Sequence, residues 1–532
     1  MFELEATLIY YADEKIDVIN KATLTGYEGN TDIVKLEVGS SCTLIGENAF
    51  KGCSNLEEVN ASGSNCITVG QRAFHSNTGL KKVNLPNVKF EGIAHFATCT
   101  NLQEVTFGSV GHPVTTIASD AFYNCTQSDL TIKIYVSSGT TSLAYEPWGV
   151  TNATIEYYDA TTGELVNVIW GQKYKGNTDI IELPNADKIT KILAGAFEGC
   201  TNLALTQLPN NLISIGENAF KGCSNLEEIN ASGSNCITVG QRAFHTNTGL
   251  KKVNLPNVKF EGIAHFSTCT NLQEVTFGSV GHPVTAIASD AFYNCTQSDL
   301  TIKVYVESGT TNLAYEPWGA TNATIEYYDA ATGELVNVIW GQKYKGDTEI
   351  NWTELPNANK ITKISAGAFE GCTSLALTQL PNNLISIGNN AFYGCTSLVK
   401  LELPESLTTI GEYAFRNCSN LEEVNASGNN CITVSSRAFH TNTGLKKVNL
   451  PNVKFQGNAY FSTCTGLQEV TFGSIGHPIT TLPWDTFYNC TQTGLTIKIY
   501  VASGTTSLAN QPWGATKATI EYYDSTTGER IN

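Results

Sequence analysis

Eight histidines, sixteen cysteines and several adjacent carboxylates are the residues of this 532-residue sequence with the means to hold a metal, attack a substrate or move a proton. Their spacing argues against each use. No two histidines stand at metal-ligand spacing, and neither Cys-x-x-Cys nor His-Glu-x-x-His occurs. His75, His245 and His440 each follow a recurring Phe, and His112, His282 and His477 each lie in Gly-His-Pro. His95 and His265 have Tyr460 as their third counterpart, a replacement that a required metal ligand would not tolerate. Glu57-Glu58 and Glu227-Glu228 have the composition of an acid and base pair, but alternation along a strand would aim their carboxylates apart. There is no nucleotide-type glycine loop, no Gly-x-Ser-x-Gly and no Asp-rich calcium loop. The expectation is therefore no catalytic residue, no cofactor and no metal.

The cysteines are placed by a rhythm. Twelve sit three residues after a recurring Phe, at 53, 99, 125, 200, 223, 269, 295, 372, 395, 418, 464 and 490. Asn77, Asn247 and Asn442 occupy the same slot elsewhere. A slot that takes Cys or Asn asks for a small, partly polar side chain able to bond a bending backbone, so free buried thiols are expected rather than disulfides. Cys66, Cys236 and Cys431 precede Ile-Thr-Val and read as small buried residues of a strand.

The elements that carry these residues repeat. Ile45-Gly46-Glu47-Asn48-Ala49-Phe50-Lys51-Gly52-Cys53-Ser54-Asn55-Leu56-Glu57-Glu58-Val59 recurs with its Phe at 50, 74, 96 and 122. It restarts at 197, 220, 244, 266 and 292, and again at 369, 392, 415, 439, 461 and 487. Self-similarity at a short, nearly constant period predicts a solenoid with one repeat per turn. Phe50, Cys53 and Leu56, with Phe220, Cys223, Leu226, Phe415, Cys418 and Leu421, are predicted to form ladders inside the coil. Leu56–Ala61 is predicted as a strand with Val59 and Ala61 inward, Ser62–Asn65 as a turn, and Ile67–Val69 as a second strand. Gly70–Phe74 reads as a helical turn or tight bend. Stacked first strands would form a parallel sheet.

A larger period lies over the small one. The second copy follows the first at one constant offset, with Phe50 matched by Phe220 and Trp148 by Trp318. The third is offset further, with Phe220 matched by Phe415, through a short insertion near Trp352 and one extra turn. Three blocks result, 1–158, 159–328 and 329–532. Between Phe122 and Phe197 the rhythm lapses, with candidate strands near Leu130, Ile155 and Ile180 and a turn at Thr162-Gly163. The lapse reads either as atypical turns of one coil or as a cap before a new start. Tyr145 and Trp148 could stack on a sugar, or could close the core of such a cap.

The Ile-Gly-x-x-Ala-Phe-x-x-Cys-x-x-Leu-x-x-Val pattern resembles the BspA-like class of leucine-rich repeats, and the Ile-Tyr-Val … Tyr … Trp segments resemble the closing element that follows such repeats. The resemblance implies a parallel β-sheet on one face, with short strands, loops and helical turns on the other. It also implies a secreted or cell-surface protein that adheres to extracellular matrix, or to host or microbial surface proteins or glycans. Met1-Phe2-Glu3-Leu4-Glu5 lacks the basic start and apolar centre of a secretory signal, as in a cytosolic chain or part of a longer exported one. A net charge of −17 argues against nucleic acid, and no apolar run approaches the roughly 20 residues of a membrane span.

The working surface should be the polar side of the first strands. Glu58, Lys82 and Glu104 would be neighbours, flanked by Asn60, Asn84 and Thr106. Glu228, Lys252 and Glu274 repeat them, then Glu423, Lys447 and Glu469. These rows read either as charge pairing that keeps a face soluble or as an adaptable binding face. The reading that follows is a non-enzymatic binding scaffold or adhesin whose copies act together. The alternative is a structural spacer or a self-assembling surface-layer element, joined end to end and without a specific ligand.

Overall fold

The computed structural model describes residues 6–63, 65–349, 357–377, 379–426, 428 and 430–531. The opening pentapeptide, Ser64 of the first turn and the insertion near Trp352 lie outside these residues. The fold is a β-solenoid of about 21 turns built from parallel sheets. Contacts divide it into two compact units, Met1–Thr270 with Asp290–Tyr293, and Asn271–Ser289 with Asn294–Asn532.

Each turn follows the alternation of its sequence. In Glu58–Ala61 the residues alternate between half-buried and buried, with Val59 and Ala61 inward, and Ile67–Val69 repeats the pattern. Apolar side chains every second residue bury one face of the strand and leave the other for solvent. Between the strands the chain bends through the Ala-Phe-x-x-Cys segment. Asn48 and Arg72 take the left-handed conformation, both with φ 53°. That conformation breaks a helix, so the segment is a tight bend rather than a helical turn. Among the described residues the helical segments are short 3-10 turns such as Gln172–Tyr174 and Ala186–Lys188. The bends stack by backbone bonds of their own: the Phe50 amide donates to Ala73 at 2.8 Å and the Gly52 amide to His75 at 2.8 Å.

Stacked bends create side-chain ladders. In the first unit the rings of Phe50, Phe74 and Phe96 lie 5.6 and 5.4 Å apart and nearly parallel. Phe197, Phe220 and Phe244 continue the pattern at 5.5 and 5.4 Å, and in the second unit Phe392, Phe415 and Phe439 do so at 5.0 and 5.4 Å. Phe50, Phe220, Phe415, Leu56, Leu226 and Leu421 are fully buried. Where the slot holds Cys, the thiol bonds the bending backbone as expected. The Cys53 thiol donates to the Tyr27 carbonyl at 3.1 Å, Cys223 to Phe197 at 3.1 Å and Cys418 to Phe392 at 3.1 Å. Where the slot holds Asn the outcome differs by turn: Asn442 Nδ2 donates to the Phe415 carbonyl at 3.0 Å and its Oδ1 accepts from the Cys418 amide at 2.8 Å, whereas the buried side-chain amides of Asn77 and Asn247 make no hydrogen bond. All sixteen cysteines are thiols rather than disulfides. Cys66, Cys236 and Cys431 are exposed, contrary to expectation, because the buried position belongs to the following Ile and alternation puts the cysteine outside.

The first unit holds a thirteen-stranded sheet. It runs from the hairpin Thr7–Tyr11/Ile16–Ile19 through Ile33–Val38, Glu58–Ala61, Lys82–Leu85, Glu104–Phe107, Thr131–Val136 and Thr154–Asp159. At Leu165–Trp170 the chain reverses in an antiparallel hairpin, and the sheet continues in parallel through Ile189–Ile192, Ser214–Ile215, Ile237–Val239 and Val258–Phe260. The lapse in the rhythm is thus a set of wider turns through which the sheet passes unbroken. Ile180, expected to start a strand, lies in a loop and the strand begins at Ile189. Gly171 is required at the hairpin's end, since a Cβ there would meet Asn152 O at 2.1 Å. Trp148 is fully buried and donates its indole N–H to the Ala144 carbonyl at 2.9 Å, so it closes the core; Tyr145 is 74% exposed and does not.

In the second unit a sheet runs from Glu274–Phe277 through Thr301–Val306, Thr324–Asp329, the antiparallel Leu335–Trp340, and on to Val453–Gln456. A six-stranded sheet carries Lys400–Leu403, Glu423–Ala426, Lys447–Leu450, Glu469–Phe472, Thr496–Val501 and Thr519–Asp524.

Candidate functional site

Parallel, in-register pairing aligns every second residue of successive strands on one face. In the first unit Glu58 pairs in register with Lys82, and Lys82 with Glu104. Two residues on, Asn60, Asn84, Thr106, Lys133 and Glu156 form a second row. Asn84 Nδ2 donates to Asn60 Oδ1 at 2.8 Å. The second unit repeats both rows. Glu423, Lys447 and Glu469 form one, and Asn425, Asn449, Thr471, Lys498 and Glu521 the other, with Asn449 donating to Asn425 at 2.9 Å. Glu228 pairs in register with Lys252 in the first unit, and Glu274 meets Lys303 at 2.8 Å in the second. Charges of opposite sign in adjacent strands attract across the sheet, and exposed pairs of this kind contribute about 0–1 kcal/mol each.

Where the repeat strands give way to the wider ones the face sinks into a cleft of about 580 Å3. Its floor is Glu104, whose carboxylate meets Lys82 at 3.1 Å and Lys133 at 3.2 Å. The bond from Lys82, aided by Lys133, holds Glu104 below the usual carboxylate range. Tyr158 Oη donates to Glu156 Oε2 at 2.8 Å, and the Tyr158 ring stacks on Tyr135 with centroids 5.3 Å apart. Burial first, then the Glu156 carboxylate, pushes the Tyr158 phenol well above its ordinary value, so it stays a donor. Lys81 and Lys173 close the rim. The second unit holds the counterpart, about 540 Å3. There Glu469 meets Lys498 at 2.7 Å, Tyr523 donates to Glu521 at 2.9 Å, and Arg530 meets Glu521 at 3.0 Å. Tyr500 stacks on Tyr523 at 5.3 Å.

Sequence reasoning placed Lys82, Glu104, Lys447 and Glu469 on this face but stopped before the next two strands, which carry Lys133 and then Glu156 and Tyr158. The signal was present: Leu130–Val136 and Ala153–Tyr158 keep the same period-two alternation, which carries the outward row forward once they are treated as further turns.

The histidines lie apart from the clefts. His95 and His265 are buried, each with Nε2 3.0 Å from the carbonyl of Glu91 or Glu261, and burial lowers both pKa values. Tyr460 fills the equivalent space. Among the described residues no three His, Cys, Asp or Glu side chains are grouped to hold a metal ion, and no helix is long and apolar enough to cross a membrane.

Parallel turns, a laddered core and a polar sheet face define a leucine-rich repeat protein. Residues 26–144, 173–309, 341–468 and 441–510 match the family model of the BspA type leucine-rich repeat region (6 copies), so the chain belongs to that family. Among solved structures it is similar to a leucine-rich repeat protein from Bacteroides ovatus, at 18% identity and TM-score 0.26, covering 88% of this chain and 94% of that one. A leucine-rich cell surface protein from Faecalibacterium prausnitzii is similar at 18% identity and TM-score 0.25, covering 89% and 94%. The pneumococcal vaccine antigen PcpA is similar at 15% identity and TM-score 0.22, covering 92% and 89%. A search of curated proteins found no match.

Proposed function

We propose that the protein is a non-enzymatic binding scaffold, secreted or displayed at a cell surface, that acts as an adhesin by presenting repeated sheet faces to protein or glycan ligands. The observation that supports this most is recurrence: the same rows, in the same register, are built in both units around Glu104 and Glu469. Linked weak sites gain avidity without new contacts, by about 10²–10⁴ when geometry lets them engage together. The candidate face comprises Glu58, Asn60, Lys82, Asn84, Glu104 and Thr106 with their later counterparts.

The test is binding of the whole chain to matrix proteins, mucins and glycans immobilised at high and low density. A multivalent scaffold binds the dense surface far more tightly than the sparse one. Affinity independent of density would refute multivalency, and silence across the panel would refute the scaffold.

One observation favours a second reading, end-to-end self-association. The strand Ile16–Ile19 ends the sheet order of the first unit with Ile16 49% and Val18 62% exposed. An apolar edge strand is a template for pairing with another chain. Val18→Lys should then lower the mass measured by light scattering at high concentration; an unchanged mass would remove this reading.

A further inference from the structure

We propose that the two sheet-face clefts bind an anionic oligosaccharide, a short sugar chain carrying carboxylate or sulfate groups. This rests on the scaffold reading and names the ligand class of its sites. The first argument is charge. The chain carries −17 overall, yet the first cleft gathers Lys81, Lys82, Lys133 and Lys173 against Glu104, Glu156 and the Glu57 that holds Lys81 at 2.9 Å, a local balance of +1. The second gathers Lys446, Lys447, Lys498 and Arg530 against Glu469, Glu521 and the Glu422 that holds Lys446 at 2.7 Å, again +1. An acidic protein that concentrates cations at equivalent places in two copies offers an anion its favourable field there and repels it elsewhere.

The second argument separates a sugar from an acidic peptide. Both clefts keep two carboxylates among the cations. Glu104 and Glu469 stay ionised beside their lysines and can accept only from donors. An acidic sugar carries hydroxyl donors alongside its anionic groups, whereas the side chains of an acidic peptide bring only further carboxylates. The third argument is the aromatic wall. Tyr158 and Tyr523 line the clefts, each backed by a stacked tyrosine and each with its hydroxyl committed to a glutamate. Such a ring is fixed in orientation and offers an apolar surface to the C–H side of a sugar ring. From Lys82 to Glu156 the cleft crosses three strand spacings, roughly 14 Å, enough for a short oligosaccharide rather than a single ion.

The test titrates the whole chain, by calorimetry, with a chondroitin sulfate hexasaccharide and a hyaluronan hexasaccharide, alongside cellohexaose and hexaglutamate. The two acidic sugars distinguish sulfate from carboxylate as the recognised group. Binding of at least one acidic sugar, at least tenfold tighter than cellohexaose and hexaglutamate and weakened by salt, is expected. Lys133→Gln and Lys173→Gln combined with Lys498→Gln and Arg530→Gln should weaken it at least tenfold and flatten the salt dependence. Tyr158→Leu with Tyr523→Leu should weaken it while leaving the salt dependence unchanged. An unchanged melting temperature in each variant checks the fold. Equal binding of hexaglutamate or cellohexaose, or unaltered binding by the charge variant, overturns the proposal. Failure of both acidic sugars to bind at millimolar concentration also overturns it. If the chain binds a protein of the immobilised panel but neither acidic sugar, this inference falls and the scaffold reading stands; if nothing binds, both fall.

Discussion

Replacing Phe220 by Ala tests the ladder as the source of cohesion between turns. The ring is fully buried and lies between Phe197 at 5.5 Å and Phe244 at 5.4 Å. Truncating a buried Phe costs about 3–5 kcal/mol, because the lost apolar contact is joined by a cavity that rigid neighbours cannot fill. Two ring contacts, each about 0.5–1.5 kcal/mol beyond burial, place this site towards the upper part of that range. Each turn touches only its neighbours, so the loss should act locally first. Hydrogen exchange reads this directly. The amides of Phe220 and Gly222, bonded to Ala243 and His245 at 2.8 and 3.0 Å, should lose two to nearly four decades of protection, since about 1.4 kcal/mol is a factor of ten. Amides of Glu104–Phe107 in the same unit should lose much less. Tyr145→Ala, at an exposed ring, should change stability by less than about 0.5 kcal/mol. A Phe220→Ala cost under about 1 kcal/mol, or equal deprotection of the whole unit, would refute the ladder argument.

Three further outcomes concern the cysteines and the Asn that replaces them in the repeat. Asn442→Ala strips partners from the buried Phe415 carbonyl and Cys418 amide and should cost about 2–4 kcal/mol, whereas Asn442→Cys restores the bond to the carbonyl and should cost less; denaturant melts decide. A thiol reagent should modify three cysteines quickly in the native chain, Cys66, Cys236 and Cys431, and all sixteen after unfolding; mass spectrometry of the trapped adducts checks which. Alkaline pH should destabilise the fold, because burial pushes the thiol of Cys53 up to about 11 and that of Cys418 up to about 12 from an ordinary 9.0. The unfolded chain releases these protons from pH 9 upward while the folded chain keeps them. The thiol contribution is thus fully present below pH 9 and is lost as pH rises towards 11–12. At pH 10 ionisation favours the unfolded chain by about 1.4 kcal/mol per such thiol. Cys418→Ala should flatten the decline in melting temperature between pH 9 and 11, and an unaltered slope would count against the argument.

The sequence by itself determined the repeat, the ladder and the strand faces, because these rest on local periodicity. A Phe returning at a nearly constant interval specifies a turn, and period-two alternation specifies which side chains enter the core. The Cys/Asn alternation even told the job of its slot, since only a short side chain with a polar end suits both residues. Other features depended on neighbours distant in sequence. Cys66 looked like a strand interior residue but lies outside, because Ile67 takes the buried place. Gly70–Phe74 had the length of a helical turn, and the left-handed Arg72 makes it a bend that hydrogen-bonds the next coil. Tyr145 and Trp148 were alike in the sequence, and only packing sent one into the core and the other to solvent. The clefts were least legible. Glu104 and Lys133 belong to different turns, and they meet because parallel register sets Thr106 beside Lys133 across a turn boundary where the repeat motif had lapsed. Alternation determines the side of a strand a residue faces; which strand lies beside it is decided only when the coil closes.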